Sequence, residues 1–243
     1  MVPMDLHTHT IASGHGTNQT ITDLARKARE RRMGVLGISD HGPATPASCK
    51  EAYFNSLKQA PRYRFGVRIL YGIEVNILDE QGKVDVSDKT LKGLDYAIAG
   101  IHIPTFHTRN YDDKVRFNTE AYIHAMENPY IKIIGHPDDA RFPVDALKLA
   151  EAAAKYHVIL EINDSSLSPE GYRGNTRSNM KRLLTFCLKL RQPVLLSSDS
   201  HGSGRIGEVP YALELVKELS YPRELILNYQ PAESFLTWRP TPC

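Results

Sequence analysis

MDLHTHTIASGHG, residues 4–16, places His7, His9 and His15 within nine positions of a 243-residue chain that holds ten histidines. An apolar opening with histidines two apart reads as a short strand whose end carries two imidazoles on one face. Side chains alternate along a strand, and Cα atoms two apart lie roughly 6–7 Å from each other. Two such rings can grip one ion. The same pattern recurs down the chain. Short apolar runs at 1–6, 35–38, 67–73, 95–100, 131–135, 158–162 and 193–198 predict seven strands. Metal-ligand residue types fall at or just after their ends: His7 and His9, Asp40 and His41, Glu74, His102, His136, Glu161 and Asn163, then Asp199 and His201. The pair Asp199/His201 repeats on the last strand the spacing of His7/His9 on the first.

Amphipathic stretches at 22–32, 48–59, 117–128, 144–156, 176–190 and 210–219 predict helices between the strands. Thr20 or Thr22 suits the N-cap of the first, with basic residues near its end. Gln81-Gly82, flanked by alternating apolar residues, predicts a β-hairpin in one connection. Strands buried on both faces and covered by helices point to a parallel α/β architecture. Seven strands fall one short of the eightfold barrel, so the expected fold is a distorted TIM-like (β/α)7 barrel. We expect one domain over 1–243, with the barrel at about 1–219 and a C-terminal packing extension at about 220–243 anchored by Trp238. In α/β barrels the C-terminal strand ends share one rim, so residues scattered in sequence become neighbours there.

Composition narrows the classes. Hydrophobic residues at 41% and charged residues at 24% match ordinary globular usage and exclude a disordered or fibrous chain. A net charge of +2 is too mild to imply a polyanionic partner, and the sign-alternating run at 26–32 reads as a solvated helix face. No stretch approaches the ~18 apolar residues of a membrane span, and the opening residues lack the regions of a secretory signal, so the expectation is a cytoplasmic protein with no membrane partner. Cys49, Cys187 and Cys243 are odd in number and widely spread, which suggests neither a disulfide framework nor a thiolate zinc site. His124, in mid-helix, and His157, in a turn, read as surface or packing residues; His107 receives no assignment.

The pieces DLHTHT with His15 after it, SDHG (39–42), GIEVN (72–76), AGIH (99–102), IGHP (134–137), EINDSS (161–166) and SSDSHG (197–202) resemble in order and spacing the PHP domain, the polymerase and histidinol phosphatase family. Within it the chain is similar to the stand-alone YcdX-like phosphatases. One departure is Ser39, where the family often has Thr. The resemblance implies a (β/α)7 barrel holding three divalent ions. By it His7, His9, Glu74 and Asp199 hold one ion. Glu74 bridges to a second ion bound also by His102 and His136, and His15, His41 and His201 hold the third. Nitrogen-rich ligation without thiolate suits zinc, with manganese or iron as alternatives.

The implied activity is hydrolysis of a small phosphomonoester by a hydroxide shared between ions, with Glu74 and Asp199 as the catalytic carboxylates. The alternatives are a phosphodiesterase or nuclease acting on nucleotides or nucleic-acid ends, which the mild charge disfavours, and a non-catalytic metal-binding domain. Arg173, Arg177, Arg205 and Asn163 are weaker candidates for contacting a small phosphorylated substrate. Asp40 reads either as an acceptor orienting the ring of His41 or as a loop cap. Oligomeric state is left open.

Overall fold

Seven parallel strands, paired in sequence order, form the frame: β1 (Met4–Asp5), β2 (Val35–Ile38), β3 (Val67–Asn76), β4 (Tyr96–Gly100), β5 (Ile131–Ile134), β6 (Ile159–Asn163) and β7 (Val194–Ser197). The computed structural model describes residues 1–107 and 113–239, so Cys243 lies outside the described residues. Helices cover the outside: α1 (Ile21–Glu30), α2 (Glu51–Ser56), α3 (Lys114–Glu127), α4 (Ala146–Tyr156), α5 (Thr176–Leu190) and α6 (Pro210–Glu218), while α7 (Ala232–Trp238) packs against the inner cluster. Thr20 caps α1 in a reciprocal box with Asp23. No helix among the described residues is long and apolar enough to cross a membrane.

Strand alternation sorts the core into two layers. Leu36, Ile69, Tyr71, Ala97, Leu160 and Leu196 face outward, toward helix residues such as Leu24, Tyr122, Leu149 and Leu184. Met4, Leu70, Ile98, Ile133, Ile159 and Leu195 face inward and meet Leu227 and Phe235 of the C-terminal segment. Tyr96 crosses this interior and donates its hydroxyl hydrogen to Leu6 O at 2.6 Å. Gly72 leaves room for its ring, since a Cβ there would stand 2.5 Å from it. Along each strand the inward series then turns polar toward the C-terminal end: Leu70 is followed by Glu74 and Asn76, Ile159 by Glu161 and Asn163, Leu195 by Ser197. Apolar packing thus fills the lower barrel and leaves hydrogen-bonding groups at the rim.

The main sheet stays open between β1 and β7, and side chains stitch the seam. Asn228 donates to Met4 O at 2.8 Å and Leu196 O at 2.7 Å, and accepts from Leu196 N at 2.8 Å. Buried Asp5 accepts from Ser198 Oγ at 2.6 Å and Gly207 N at 2.8 Å. Above them Thr8–His9 and Ser200–His201 pair as a separate two-stranded parallel ladder, with His9 opposite His201. The distortion expected of a seven-stranded barrel is therefore localised at one seam, and that seam carries four candidate ligands.

The C-terminal segment caps the lower end. Lys132, at the inner end of β5, donates its ammonium hydrogens to Leu236 O and Arg239 O, both at 2.7 Å, holding the last turn of α7 by its free carbonyls. Trp238 packs against the inner cluster and meets His157 edge-on at 5.9 Å, the anchoring role expected of it. Around Gln81-Gly82 the chain does reverse, with an antiparallel bridge between Ile77 and Val84, but the connection also holds the short helix Asp88–Leu91.

Candidate metal centre

All nine rim residues singled out in the sequence come together. The ligating atoms of His7, His9 and Glu74 lie within 4.8 Å of one another, as do those of His41, Glu74 and His102 and those of His9, His41 and His201. Glu74 is the hub. Its Oε1 lies 2.9 Å from His136 Nε2, 3.2 Å from His102 Nε2 and 3.4 Å from His7 Nε2, and its Oε2 lies 2.5 Å from His41 Nδ1. Asp199 Oδ1 stands 3.2 Å from His9 Nε2 and 3.6 Å from His7 Nε2. His15 joins from the outer side, its Nε2 3.2 Å from that of His201. Gly100 makes the approach of two rings possible, because a Cβ there would stand 2.9 Å from His136 Cε1 and 3.1 Å from His102 Cε1. His136 and Asp199 adopt positive φ, at 32° and 51°, backbone strain that non-glycine residues carry where the surrounding structure imposes it.

Hydrogen bonds behind the rings fix which nitrogen faces the hub. His7 Nδ1 lies 2.6 Å from Glu161 Oε1, His9 Nδ1 2.9 Å from Ser13 Oγ, and His102 Nδ1 2.8 Å from Asn76 Oδ1. A carboxylate or amide oxygen only accepts, so Nδ1 carries the proton in His7 and His102. Ser13 donates its own hydrogen to Asp40 Oδ1 at 2.7 Å and must accept from His9. In all three rings Nε2 is thereby the nitrogen turned toward Glu74 or Asp199, the arrangement by which a second partner presents a metal-binding imidazole. Asp40 thus acts on His9 through Ser13. It also accepts from Thr10 N at 2.6 Å and Tyr53 OH at 2.9 Å, so it is a loop organiser and does not orient the ring of its neighbour His41.

Electrostatics point the same way. Burial disfavours charge on Glu74 and Asp199, yet the imidazoles around Glu74, and His7 with Arg173 around Asp199, hold both carboxyls well below the usual range. Burial and the neighbouring rings of His41 and His201 push His9 well below its ordinary value, and burial lowers His102 to about 4 against the opposing pull of Glu74. Ionised carboxylates beside the neutral imidazoles of His9 and His102 form a cation seat. Against the effect of burial, the same carboxylates hold His7 and His41 above their ordinary value, so that a cation arriving there displaces protons from these two rings. Nε2 of His7 and His9, Nδ1 of His41 and Oε2 of Glu74 are buried and meet only the opposed atoms of the cluster itself, at 2.5–3.6 Å, a crowding of polar groups that a coordinated cation relieves. The donor set, rich in nitrogen with two carboxylates and no thiolate, fits divalent ions of the zinc type.

Above the cluster opens a cavity of about 330 Å³. His15, His41, His102, Asp199 and His201 form its floor, and Thr45, Ile103, Pro104, Arg141, Tyr172 and Arg173 its walls. Of the weaker candidates, Arg173 is buried and donates from Nη1 and Nη2 to Asp199 Oδ2, both at 3.1 Å, so it turns Oδ1 toward the histidines. Asn163 donates to the same oxygen at 3.1 Å while its Oδ1 caps the helix Asp164–Leu167. Arg177 lies outside the barrel, paired with Glu214 and Glu218 across α5 and α6, and Arg205 pairs with Asp164 away from the cavity wall. Arg141 was not singled out in the sequence. It is clamped to buried Asp139 through Nε and Nη2, and its guanidinium stands 4.8 Å from the ring of Tyr172. His124 donates from Nδ1 to Glu80 O at 2.8 Å on the outer surface, and the backbone N–H of His107 donates to Leu78 O.

Comparison with known proteins agrees with this geometry. The PHP domain model matches residues 5–165. A protein named "Probable phosphatase" from Thermoanaerobacter sp. (strain X514) is 37% identical over 225 residues, covering 93% of this chain and 89% of its own. Another of that name from Caldanaerobacter subterraneus is 38% identical over 228 residues, covering 93% and 86%. Among solved structures, histidinol phosphate phosphatase from Lactococcus lactis, complexed with zinc, L-histidinol and phosphate, superposes with a TM-score of 0.61 over 88% of this chain and 92% of its own. At 16% identity that likeness speaks for the fold alone. The family match over most of the barrel, joined to relatives more than a third identical across nearly the whole length, places the chain in the PHP-domain family.

Proposed function

We propose that the protein is a metal-dependent phosphomonoesterase whose centre takes three divalent ions, zinc by preference. His7, His9, Glu74 and Asp199 would hold the first; Glu74, His102 and His136 the second; His15, His41 and His201 the third. The observation that carries this reading is the convergence of three overlapping ligand groups whose buried atoms meet only one another. Bound divalent ions supply Lewis acidity and a nucleophile from water near neutral pH, and offset the negative charge of a phosphoryl group.

The chain's own residues supply position. Glu161, Ser13 and Asn76 hold three rings in the metal-binding tautomer, and Arg173 with Asn163 fixes the rotation of Asp199. Arg141, held rigid by Asp139, stands in the cavity wall where it can pair with a phosphate oxygen. A cavity of about 330 Å³ suits a small ester, and the names of the relatives support the reaction class.

A panel of phosphate mono- and diesters, assayed after chelation and after metal add-back, tests this. Hydrolysis of monoesters, lost on chelation and restored by zinc, manganese or iron, is the expected result. Stoichiometric metal without hydrolysis, or clear preference for diesters, would overturn it.

A further inference from the structure

Asn76, at the end of β3, is buried behind the rim histidines; Thr45 Oγ1 lies 3.1 Å from both of its amide atoms, and Asp85 and His102 distinguish the two. Nδ2 donates to Asp85 Oδ2 at 2.6 Å. Oδ1 lies 2.8 Å from His102 Nδ1 and accepts from Thr45 Oγ1 at 3.1 Å and Thr105 Oγ1 at 3.2 Å. Asp85 also accepts from the backbone N–H of Asn76 at 3.0 Å and of Ala44 at 2.9 Å. An ionised carboxylate only accepts, so the amino group of Asn76 must face Asp85; a flipped amide would set carbonyl oxygen against carboxylate. Oδ1 is thereby turned to His102, and the ring must carry its proton on Nδ1.

We propose that Asp85 is a remote positioning residue for the metal centre: through Asn76 it fixes the tautomer of His102, and through Ala44 it holds the loop that carries His41 and Thr45. It makes no hydrogen bond to any candidate ligand among the described residues, and it stands in the connection after Ile77, outside every motif at the rim. The proposal rests on His102 being a ligand, as read above. A carboxylate–amide–imidazole chain of this kind orders a ligand before the ion arrives, and losing such a partner typically weakens metal binding about 10–100-fold.

Three variants and two readouts test it. Asp85→Ala removes the anchor. Asn76→Asp sets two carboxylates against each other. The double exchange Asp85→Asn with Asn76→Asp restores a donor facing an acceptor and leaves an oxygen for His102. Zinc affinity, measured by chelator competition on protein checked for folding by circular dichroism, should fall in both single variants and recover in part in the double, which regains the donor–acceptor pair but leaves Ala44 N–H without the oxygen it shares with Asn76. Two-bond ¹H–¹⁵N spectra of the metal-free protein should show His102 protonated on Nδ1 alone in the wild type and as mixed tautomers in Asp85→Ala. Unchanged zinc affinity and tautomer in Asp85→Ala, a double variant as weak as Asn76→Asp, or a wild-type His102 protonated on Nε2 would each overturn the proposal. Should Asp85→Ala fail to fold, the Asn76→Asp and double variants decide. Failure of the phosphatase reading is separable, because neither readout involves an ester.

Discussion

Glu74 gathers the centre. One carboxylate contacts five imidazoles, so removing its charge should act on two ions together, whereas a ligand at the edge would cost one. Glu74→Gln is expected to lower bound metal by about two equivalents with loss of turnover, while His124→Ala, on the outer face of α3, should leave both unchanged; elemental analysis of the purified variants checks this. Titration gives a second handle at this scale. Burial holds His102 at about 4 against a usual 6.5, so on acidification the unfolded chain takes up the proton first. The stability contributed by neutral His102 is intact above about pH 6.5 and falls as pH drops toward about 4. His7, buried but held well above its usual value by Glu161, Asp199 and Glu74, acts in the opposite sense: its contribution is full below its unfolded pKa and is lost as pH rises through the folded one. In metal-free protein, His102→Gln should therefore flatten the acid limb of Tm against pH, and an unaltered limb would contradict the assignment.

Elements show how far sequence pattern reaches. All seven strands stand where apolar runs put them, because inward and outward burial in a barrel leaves an unbroken apolar signature. Boundaries were less legible. Helix α3 starts at Lys114, three residues before the expected start, because Asp113 accepts from Arg116 N and opens it with a polar turn. The stretch at 48–59 yields a shorter α2, because Ser48 donates back to Gly42 O and closes the preceding loop. The antiparallel pair of Tyr63–Arg64 with the start of β3 went unseen because Phe65 takes the left-handed φ of 53° that pattern reading expects of glycine or asparagine. Cap chemistry, by contrast, was readable. Thr20→Ala removes the oxygen that accepts from Asp23 N and should cost about 1 kcal/mol in chemical denaturation; a change below a few tenths would count against the capping box.

At the scale of the whole molecule, the nine candidate ligands were legible through two signals together, histidines and carboxylates at the ends of apolar runs and the motif resemblance that picked these nine, with His15 from the loop after the first run. Their supports were not. Ser13, Asn76, Asp85 and Arg141 are ordinary polar residues with no spacing signal of their own: Ser13 links His9 to Asp40 of the next loop and Asn76 links Asp85 to His102, while Arg141 is clamped by Asp139 in its own loop and its place in the cavity wall shows only in the folded chain. Closure itself depends on the tail. Phe235, fully buried in the inner cluster, and Lys132 on the last turn of α7 join the lower barrel to the C-terminal segment. Phe235→Ala should destabilise the fold by about 3–5 kcal/mol, and because Met4, at the foot of the strand leading to His7, belongs to the same cluster, zinc affinity should weaken with it. Thermal melts and chelator competition on one preparation check both.

The account rests on a shared cation seat at the rim. Anomalous diffraction at the zinc edge from zinc-loaded crystals tests it most directly. Peaks are predicted at about 2.0–2.2 Å from the ligating atoms of His7, Glu74, His136 and Asp199, with a further peak among His15, His41 and His201. Peaks confined to outer residues such as His124 and His157, or none within the barrel mouth, would contradict it.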